Sequence, residues 1–157
     1  MESIFKNVDE DKTIDNAKRV LGEYRRWKLK ARRVSFSLQS PTYDGMPKSP
    51  NYENTADAKH VNRLNAQFMY TLVEKVIDAA GEIDDSTAVY SKILLYKYIY
   101  GWTNVKCAQR LDSMTERTFD RYLREALLTF AEIYPDAVED LIAKKYKPDQ
   151  HVNFSFE

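Results

Sequence analysis

Apolar residues recur at steps of three and four through two long stretches of the chain, and this spacing predicts two amphipathic helices. The first series consists of Ala17, Val20, Tyr24, Trp27, Ala31, Val34 and Leu38. The second consists of Val61, Leu64, Phe68, Leu72, Val76 and Ala79. Narrow seams of this kind pack against another helix, either in the same chain or in a second copy. An antiparallel hairpin would bring the two seams together.

Residues 39–54 separate the two predicted helices. Three of the five prolines and Gly45 fall in this stretch, and proline removes the N–H that a helix needs. We expect a packed connection here, with the second helix beginning at a cap formed by Asn54 or Thr55 and ending at Gly81.

A third helix is predicted from the cap at Asp84 to Tyr100. It is apolar around most of its circumference, which is typical of a helix at the centre of a core. Gly101 ends it, because glycine tolerates the left-handed conformation that closes a helix.

Two shorter helices follow, joined by a tight polar break. Thr103 is predicted to cap a helix over residues 104–111, and Thr115 to cap the next. Asp112 and Ser113 separate the two helices. The inward stripe of the second helix is predicted to be Phe119, Leu123, Ala126, Leu127 and Phe130. This arrangement is typical of a helix-turn-helix that reads DNA.

The N-terminal half of the second helix is the part that would enter a major groove. The candidate base-reading residues are Thr115, Glu116, Arg117, Thr118, Asp120, Arg121 and Arg124. Arginine can pair with guanine through two hydrogen bonds. The candidate contacts to the DNA backbone are Thr103, Asn104, Lys106 and Arg110. The alternative is an ordinary helical hairpin, since residues 103–125 hold five basic and four acidic groups.

Charge is balanced overall, with 24 basic and 24 acidic residues, but its distribution is uneven. Residues 12–33 carry nine basic and two acidic side chains. We expect their densest part to contact DNA phosphates or an acidic partner through Arg25, Arg26, Lys28, Arg32 and Arg33. The alternative is a solvated helix face, or a seam beside these residues that joins two copies into a homodimer.

Composition argues against several other classes of protein. Four glycines and five prolines in 157 residues disfavour a turn-rich β fold. One cysteine, Cys107, excludes an internal disulfide framework, and its apolar neighbours place it in the core. His60 and His151 are too far apart to suggest a metal site, and no catalytic group or cofactor motif is recognisable. The pattern predicts a non-enzymatic, soluble, cytoplasmic, all-α protein without a membrane span.

The division predicted is a helical hairpin over residues 1–80 and a helix-turn-helix domain over residues 81–157. Residues 1–11 are expected to be frayed or lightly docked. Pro135 is expected to begin a short helix with Val138, Leu141 and Ile142 facing inward. The alternating residues 151–157 fit an edge strand or a docked tail.

The stretch YIYGWTNVKCAQRLDSMTERTFDRYLREAL resembles the sigma-70 region 4-like helix-turn-helix. The residues that carry the resemblance are Gly101, Thr103, Cys107, Ala108, Leu111, Thr118, Phe119, Leu123, Arg124, Glu125 and Ala126. The turn departs from that pattern, because Asp112, Ser113 and Met114 make it one residue longer.

A long basic helix, the residues Asp-Gly-Met-Pro at 44–47, a further helix and this C-terminal module together resemble the ArpU family of phage late-gene transcriptional regulators. The resemblance covers residues 13–134. It implies a regulator that activates packaging or lysis genes, with double-stranded promoter DNA and host RNA polymerase as partners and no catalytic residues. The alternatives are a protein-interaction module and a small DNA-packaging subunit of the terminase type.

Overall fold

The computed structural model describes residues 7–39 and 52–145, and the fold within those ranges is all-α, as predicted. Within these two ranges, five α-helices and one π-helical segment follow one another. They are α1 (Glu10–Gln39), α2 (Tyr52–Ala80), α3 (Asp85–Leu94), the π-helical segment (Leu95–Ile99), α4 (Asn104–Arg110) and α5 (Glu116–Ile133). Most of the predicted linker lies outside the described residues.

Helices α1 and α2 form the predicted antiparallel hairpin. The Tyr24 hydroxyl donates a hydrogen bond to the Glu74 carboxylate, and the Tyr24 ring meets the edge of Tyr70 at 6.4 Å between centroids. Farther along α1, Phe36 lines a groove with Arg63, which lies earlier in α2. The two helices therefore run in opposite directions.

The first apolar seam packs within the chain. Ala17, Val20, Tyr24 and Ala31 are buried, while Trp27 is half-buried. Helix α1 also buries Ile14 and Leu21, which the predicted seam omitted, because α1 contacts α5 as well as α2. A helix with two partners needs a wider apolar face than a two-helix seam.

The second predicted seam is wrong in its first half. Val61, Leu64 and Phe68 are exposed by 64%, 58% and 52%, respectively. Apart from Val76, which was predicted correctly, the buried residues of α2 are Ala66, Val73, Ile77 and Ala80. These lie on the opposite side of the helix from the exposed row, and the two alanines allow close approach of the neighbouring helices. The predicted cap is also wrong, because α2 begins at Tyr52 and therefore includes Asn54 and Thr55.

Helix α3 begins at the predicted cap. The Asp84 carboxylate accepts a hydrogen bond from the Thr87 N–H at 2.8 Å, and the Thr87 hydroxyl accepts one from the Asp84 N–H at 2.9 Å. The Ser91 hydroxyl donates to the Ile77 carbonyl at 2.8 Å and joins α3 to α2. Thr87, Ile93 and Leu94 of α3 are buried, so one side of α3 contributes to the core.

The short helix predicted after Pro135 is wrong. Residues 136–138 form a turn, and Val138 is exposed while Leu141 is buried. The chain instead returns along the start of α1, where the Asp9 N–H donates to the Ala143 carbonyl at 2.7 Å. Backbone pairing with this neighbour satisfies groups that a helix would otherwise bond internally. The 151–157 tail lies outside the described residues.

One hydrophobic core connects these elements. It includes Leu21 of α1, Ile77 of α2, Leu94 of α3 and Phe130 of α5, all nearly inaccessible to solvent. The core therefore extends across the boundary predicted at residue 80. Cys107 of α4 belongs to it, as predicted, and burial raises the pKa of its thiol.

Neither a membrane span nor a metal cluster is found in the described ranges. None of their helices is both long and apolar enough to cross a bilayer. Within residues 7–39 and 52–145, no group of three or more His, Cys, Asp or Glu side chains is arranged to hold a metal ion.

Candidate nucleic-acid interface

Helix α4 begins and ends where the sequence indicated, to within one residue. The Thr103 side chain accepts a hydrogen bond from the Lys106 N–H at 3.3 Å and caps the helix. After α4, Asp112 and Ser113 adopt positive φ angles of 57° and 53°. Left-handed backbone at two successive residues cannot continue a right-handed helix, so the chain turns sharply here.

Helix α5 starts at the predicted cap and buries the predicted stripe. Thr115 accepts a hydrogen bond from the Thr118 N–H at 3.3 Å, and its hydroxyl donates to the Thr118 hydroxyl oxygen at 2.9 Å. All five residues of the stripe are buried, namely Phe119, Leu123, Ala126, Leu127 and Phe130. Because this face is held by the core, the opposite face of α5 points to solvent.

The outer face of the first half of α5 carries alternating charges. Glu116, Arg117, Asp120 and Arg121 are exposed, and Thr115 is exposed at the cap. Thr118 is half-buried, and its hydroxyl is engaged by the cap. The Arg121 guanidinium lies 5.3 Å from the centroid of the Tyr122 ring. The candidate reading residues before Arg124 therefore share one accessible, nearly neutral surface.

Arg124 has a different environment from the other two candidate arginines. Its guanidinium donates hydrogen bonds to Asp11 at 3.0 Å and to Glu10 at 3.1 Å. Hydrogen bonds to these carboxylates raise the pKa of Arg124. Arg124 thus ties α5 to the first turn of α1, whereas Arg117 and Arg121 lie nearer the start of α5.

The predicted backbone-contact residues gather around the start of α4, except for Arg110 at its end. Thr103 forms the cap, and the Asn104 side-chain oxygen accepts a hydrogen bond from the Lys97 ammonium. The Lys106 ammonium lies 4.2 Å from the centroid of the Trp102 ring. All four predicted residues of this group are exposed.

An aromatic cluster of Tyr96, Tyr100 and Trp102, absent from the predicted site, supports the start of α4. Tyr96 stacks on Trp102 at 4.8 Å between centroids and on Tyr100 at 5.8 Å. Gly101, with φ of +71°, folds the chain back so that these rings meet, and the Trp102 N–H donates to the Tyr96 carbonyl at 2.9 Å. The sequence signal for the cluster is the aromatic-rich run YKYIYGW.

The basic residues of α1 are not brought together with this surface. Glu10 and Asp11 contact Arg124 in the middle of α5, and Arg19 pairs with Glu139, beyond the end of α5. Helix α1 therefore follows the second half of α5 and continues past it. Residues 25–33 lie toward the C-terminal end of α5, away from Thr115.

Some of the α1 cations also have partners inside the hairpin. The Lys28 ammonium lies 3.6 Å from the Glu74 carboxylate and 5.3 Å from the Tyr24 ring centroid. Arg32 lines the groove between α1 and α2. Arg25 and Arg26 are exposed. Together with Arg33, these residues form a basic surface distinct from the outer face of α5.

Comparison with known proteins finds a relative in Enterococcus hirae that bears the name "Putative autolysin regulatory protein ArpU". The two chains are 26% identical over 133 residues, which cover 83% of this chain and 92% of the relative. This similarity supports the resemblance to the ArpU family drawn from the sequence. No protein-family model matches the chain. No solved structure matches it either.

Proposed function

We propose that this protein is a sequence-specific DNA-binding transcriptional regulator that activates phage late genes. The observation that carries the proposal is the outer face of α5, where Arg117 and Arg121 lie exposed beyond the Thr115 cap. Helix α5 enters the major groove by its N-terminal half, and the two arginines read base edges there.

The start of α4 positions the protein on the DNA backbone. The exposed side chains of Thr103 and Lys106 stand at the start of that helix, where the Lys106 ammonium contacts a phosphate. The aromatic cluster holds this end of α4 against the π-helical segment, so that the contact is preorganised. In this proposal, α4 and α5 together form a sigma-70 region 4-like helix-turn-helix.

A regulatory role is supported by the relative in Enterococcus hirae, whose name describes a regulator of autolysin. The extent of the similarity favours a shared role for the whole chain rather than for one module, since it covers most of both proteins. Activation of late genes is the specific role proposed here for this chain.

Selection from a random duplex library tests the proposal and requires no assumption about the target sequence. The wild-type chain should enrich a defined site, and the Arg117→Ala, Arg121→Ala double variant should lose that preference. Each base contact removed should cost about 1–3 kcal/mol of binding free energy. Arg19→Ala is the matched control, because Arg19 pairs with Glu139 away from α5. Failure to enrich any site, or an unchanged preference in the double variant, contradicts the proposal.

A second candidate function is a protein-interaction module that contacts RNA polymerase or another regulator. The alternating charges on the outer face of α5 favour it, because such a face suits a protein partner as well as a phosphate backbone. Salt titration separates the two functions. DNA binding should weaken with a log–log slope of about 0.9 per phosphate neutralised, whereas a protein interface of low net charge depends weakly on salt.

A further inference from the structure

The side of α2 that faces away from α1 carries a solvent-exposed apolar row, formed by Val61, Leu64 and Phe68. Each of these side chains is more than half exposed. The buried residues of α2, such as Ala66 and Val73, lie on the opposite side of the helix. The core formed by the described residues 7–39 and 52–145 therefore does not account for the row.

This row belongs to a longer face on the same side of α2. Its members are Asp57, Val61, Leu64, Phe68, Thr71 and Lys75, spaced by steps of four, three, four, three and four. At about 100° per residue, all six lie within roughly 80° of one another around the helix. The spacing reads the same in both directions about Ala66.

A two-fold axis that crosses this face at the level of residue 66 would make the face complementary to itself. In an antiparallel pair of α2 helices, Leu64 lies level with Phe68 of the second copy, and Val61 with Thr71. Asp57 at one end lies level with Lys75 of the second copy at the other. The two ends carry opposite charges, and both side chains are exposed. Parallel pairing would instead place like charges together.

We propose that this α2 face, residues 57–75, is a homodimer interface in which two copies pack antiparallel. The occupant is a second copy because rotation about that axis places apolar residues opposite each other at the centre of the face and opposite charges together at its ends, as an isologous contact requires. This inference is independent of the proposed DNA binding. It assigns the contact between two copies to α2. The sequence suggested the apolar seam of α1 for this contact, but that seam packs against α2 and α5 within the chain.

The size of the face indicates which class of interface to expect. Five turns of helix give a contact about 27 Å long, and such a pair buries roughly 1,000 Å² in total. That area lies at the lower limit of specific interfaces. A weak, reversible dimer is therefore expected.

Sedimentation velocity of the full chain from low to high micromolar concentration tests the interface. The wild-type protein should shift from monomer to dimer, and the Leu64→Lys, Phe68→Lys variant should remain a monomer throughout. Both positions are exposed, so circular dichroism should report an unchanged fold. Ile83→Lys is the matched control, because Ile83 is 63% exposed but lies beyond the face. A second control is Leu29→Lys, on the exposed side of α1, which should dimerise as the wild-type protein does.

Charge reversal tests the antiparallel register. Asp57→Lys and Lys75→Asp each place like charges together in the homodimer, so each should dimerise about tenfold more weakly than wild type. An equimolar mixture of these two variants should recover wild-type affinity, because each contact then joins Lys to Asp. The double variant carrying both changes in one chain should also recover it.

Three outcomes would overturn the proposal. They are a wild-type chain that stays monomeric, a dimer unaffected by lysine at positions 64 and 68, and charge variants that are not rescued. A monomer would assign the row to a different protein or to another segment of this chain. Single charge variants that dimerise as tightly as wild type, with a mixture that dimerises more tightly than wild type, would indicate parallel pairing and would also reject the interface as described.

Discussion

The Arg124 guanidinium lies 3.0 Å from the Asp11 carboxylate, which joins the middle of α5 to the first turn of α1. Glu10 accepts a second hydrogen bond from the same group at 3.1 Å. The sequence placed Arg124 with Arg117 and Arg121 among the base-reading residues. The geometry gives it a partner 113 residues earlier in the chain, which periodicity within one helix cannot reveal.

Arg124→Ala should therefore affect stability and DNA affinity differently from Arg121→Ala. We expect Arg124→Ala to lower the free energy of unfolding by about 0.5–1 kcal/mol, because the ion pairs are exposed and screened by solvent. Its DNA affinity should fall less than that of Arg121→Ala. Chemical denaturation and titration of the selected duplex measure the two effects.

The Asp11→Asn variant serves as the control for this difference. It removes one charge of the contact while leaving α5 unchanged, so it should share the stability loss and spare the DNA affinity. If Arg124→Ala weakens DNA binding as much as Arg121→Ala does, Arg124 contacts DNA and must leave Asp11 on binding.

Two glycines should respond to alanine in opposite directions. Gly101 has φ of +71°, and an L-residue there costs about 1–2 kcal/mol, so Gly101→Ala should destabilise the protein. Gly22 lies on the exposed side of α1, where an added Cβ meets nothing within 4 Å. Gly22→Ala should stabilise it by about 0.5–1 kcal/mol through its higher helix propensity. Thermal denaturation compares both variants with wild type.

Gly101→Ala and Gly22→Ala together also distinguish the effect of backbone strain from the effect of side-chain packing. Neither added methyl group meets a neighbour, so a cost at Gly101 arises from its left-handed conformation. Equal stability of Gly101→Ala and wild type would mean that the turn before α4 relaxes to a different conformation. A shift in the fluorescence of the neighbouring Trp102 would detect that change.

The contribution of the α5 cap to stability can be tested by comparing two substitutions at Thr115, one of which is conservative. Thr115→Ala removes the acceptor for the Thr118 N–H and should cost about 1 kcal/mol of unfolding free energy. Thr115→Ser retains the hydroxyl and should stay within a few tenths of wild type. A Ser variant as unstable as the Ala variant would show that the threonine methyl group, not the cap, stabilises this end of α5.

Local signals made the second half of the fold predictable. The caps at Asp84, Thr103 and Thr115 and the turn at Gly101 depend on residues within a few positions of each other. Periodicity also identified the buried stripe of α5, because α5 packs by one continuous face.

The α2 face and the chain after Pro135 were not predictable in the same way. Leu64 and Phe68 fit a helical seam as well as the true buried row does, and the positions of α1, α3 and α5 decide between the two. Small residues such as Ala66 carry a weak apolar signal, although they mark where a neighbouring helix approaches α2 closely. After Pro135, local propensity favoured a helix, but backbone pairing with residues 7–9 took its place.

Tyr98 should make stability fall at alkaline pH. Burial raises the pKa of Tyr98 to about 12, above its ordinary value of 10.0. The folded state therefore holds this proton more tightly than the unfolded state, and the resulting stability is fully present below pH 10 and is lost as pH rises toward 12. By pH 11, the loss from this one group should be on the order of 1 kcal/mol relative to pH 8. Tyr98→Phe removes the titration, so denaturant unfolding at both pH values should show a smaller alkaline loss for the variant. Equal losses in the two proteins would mean that the Tyr98 hydroxyl reaches solvent in the folded state.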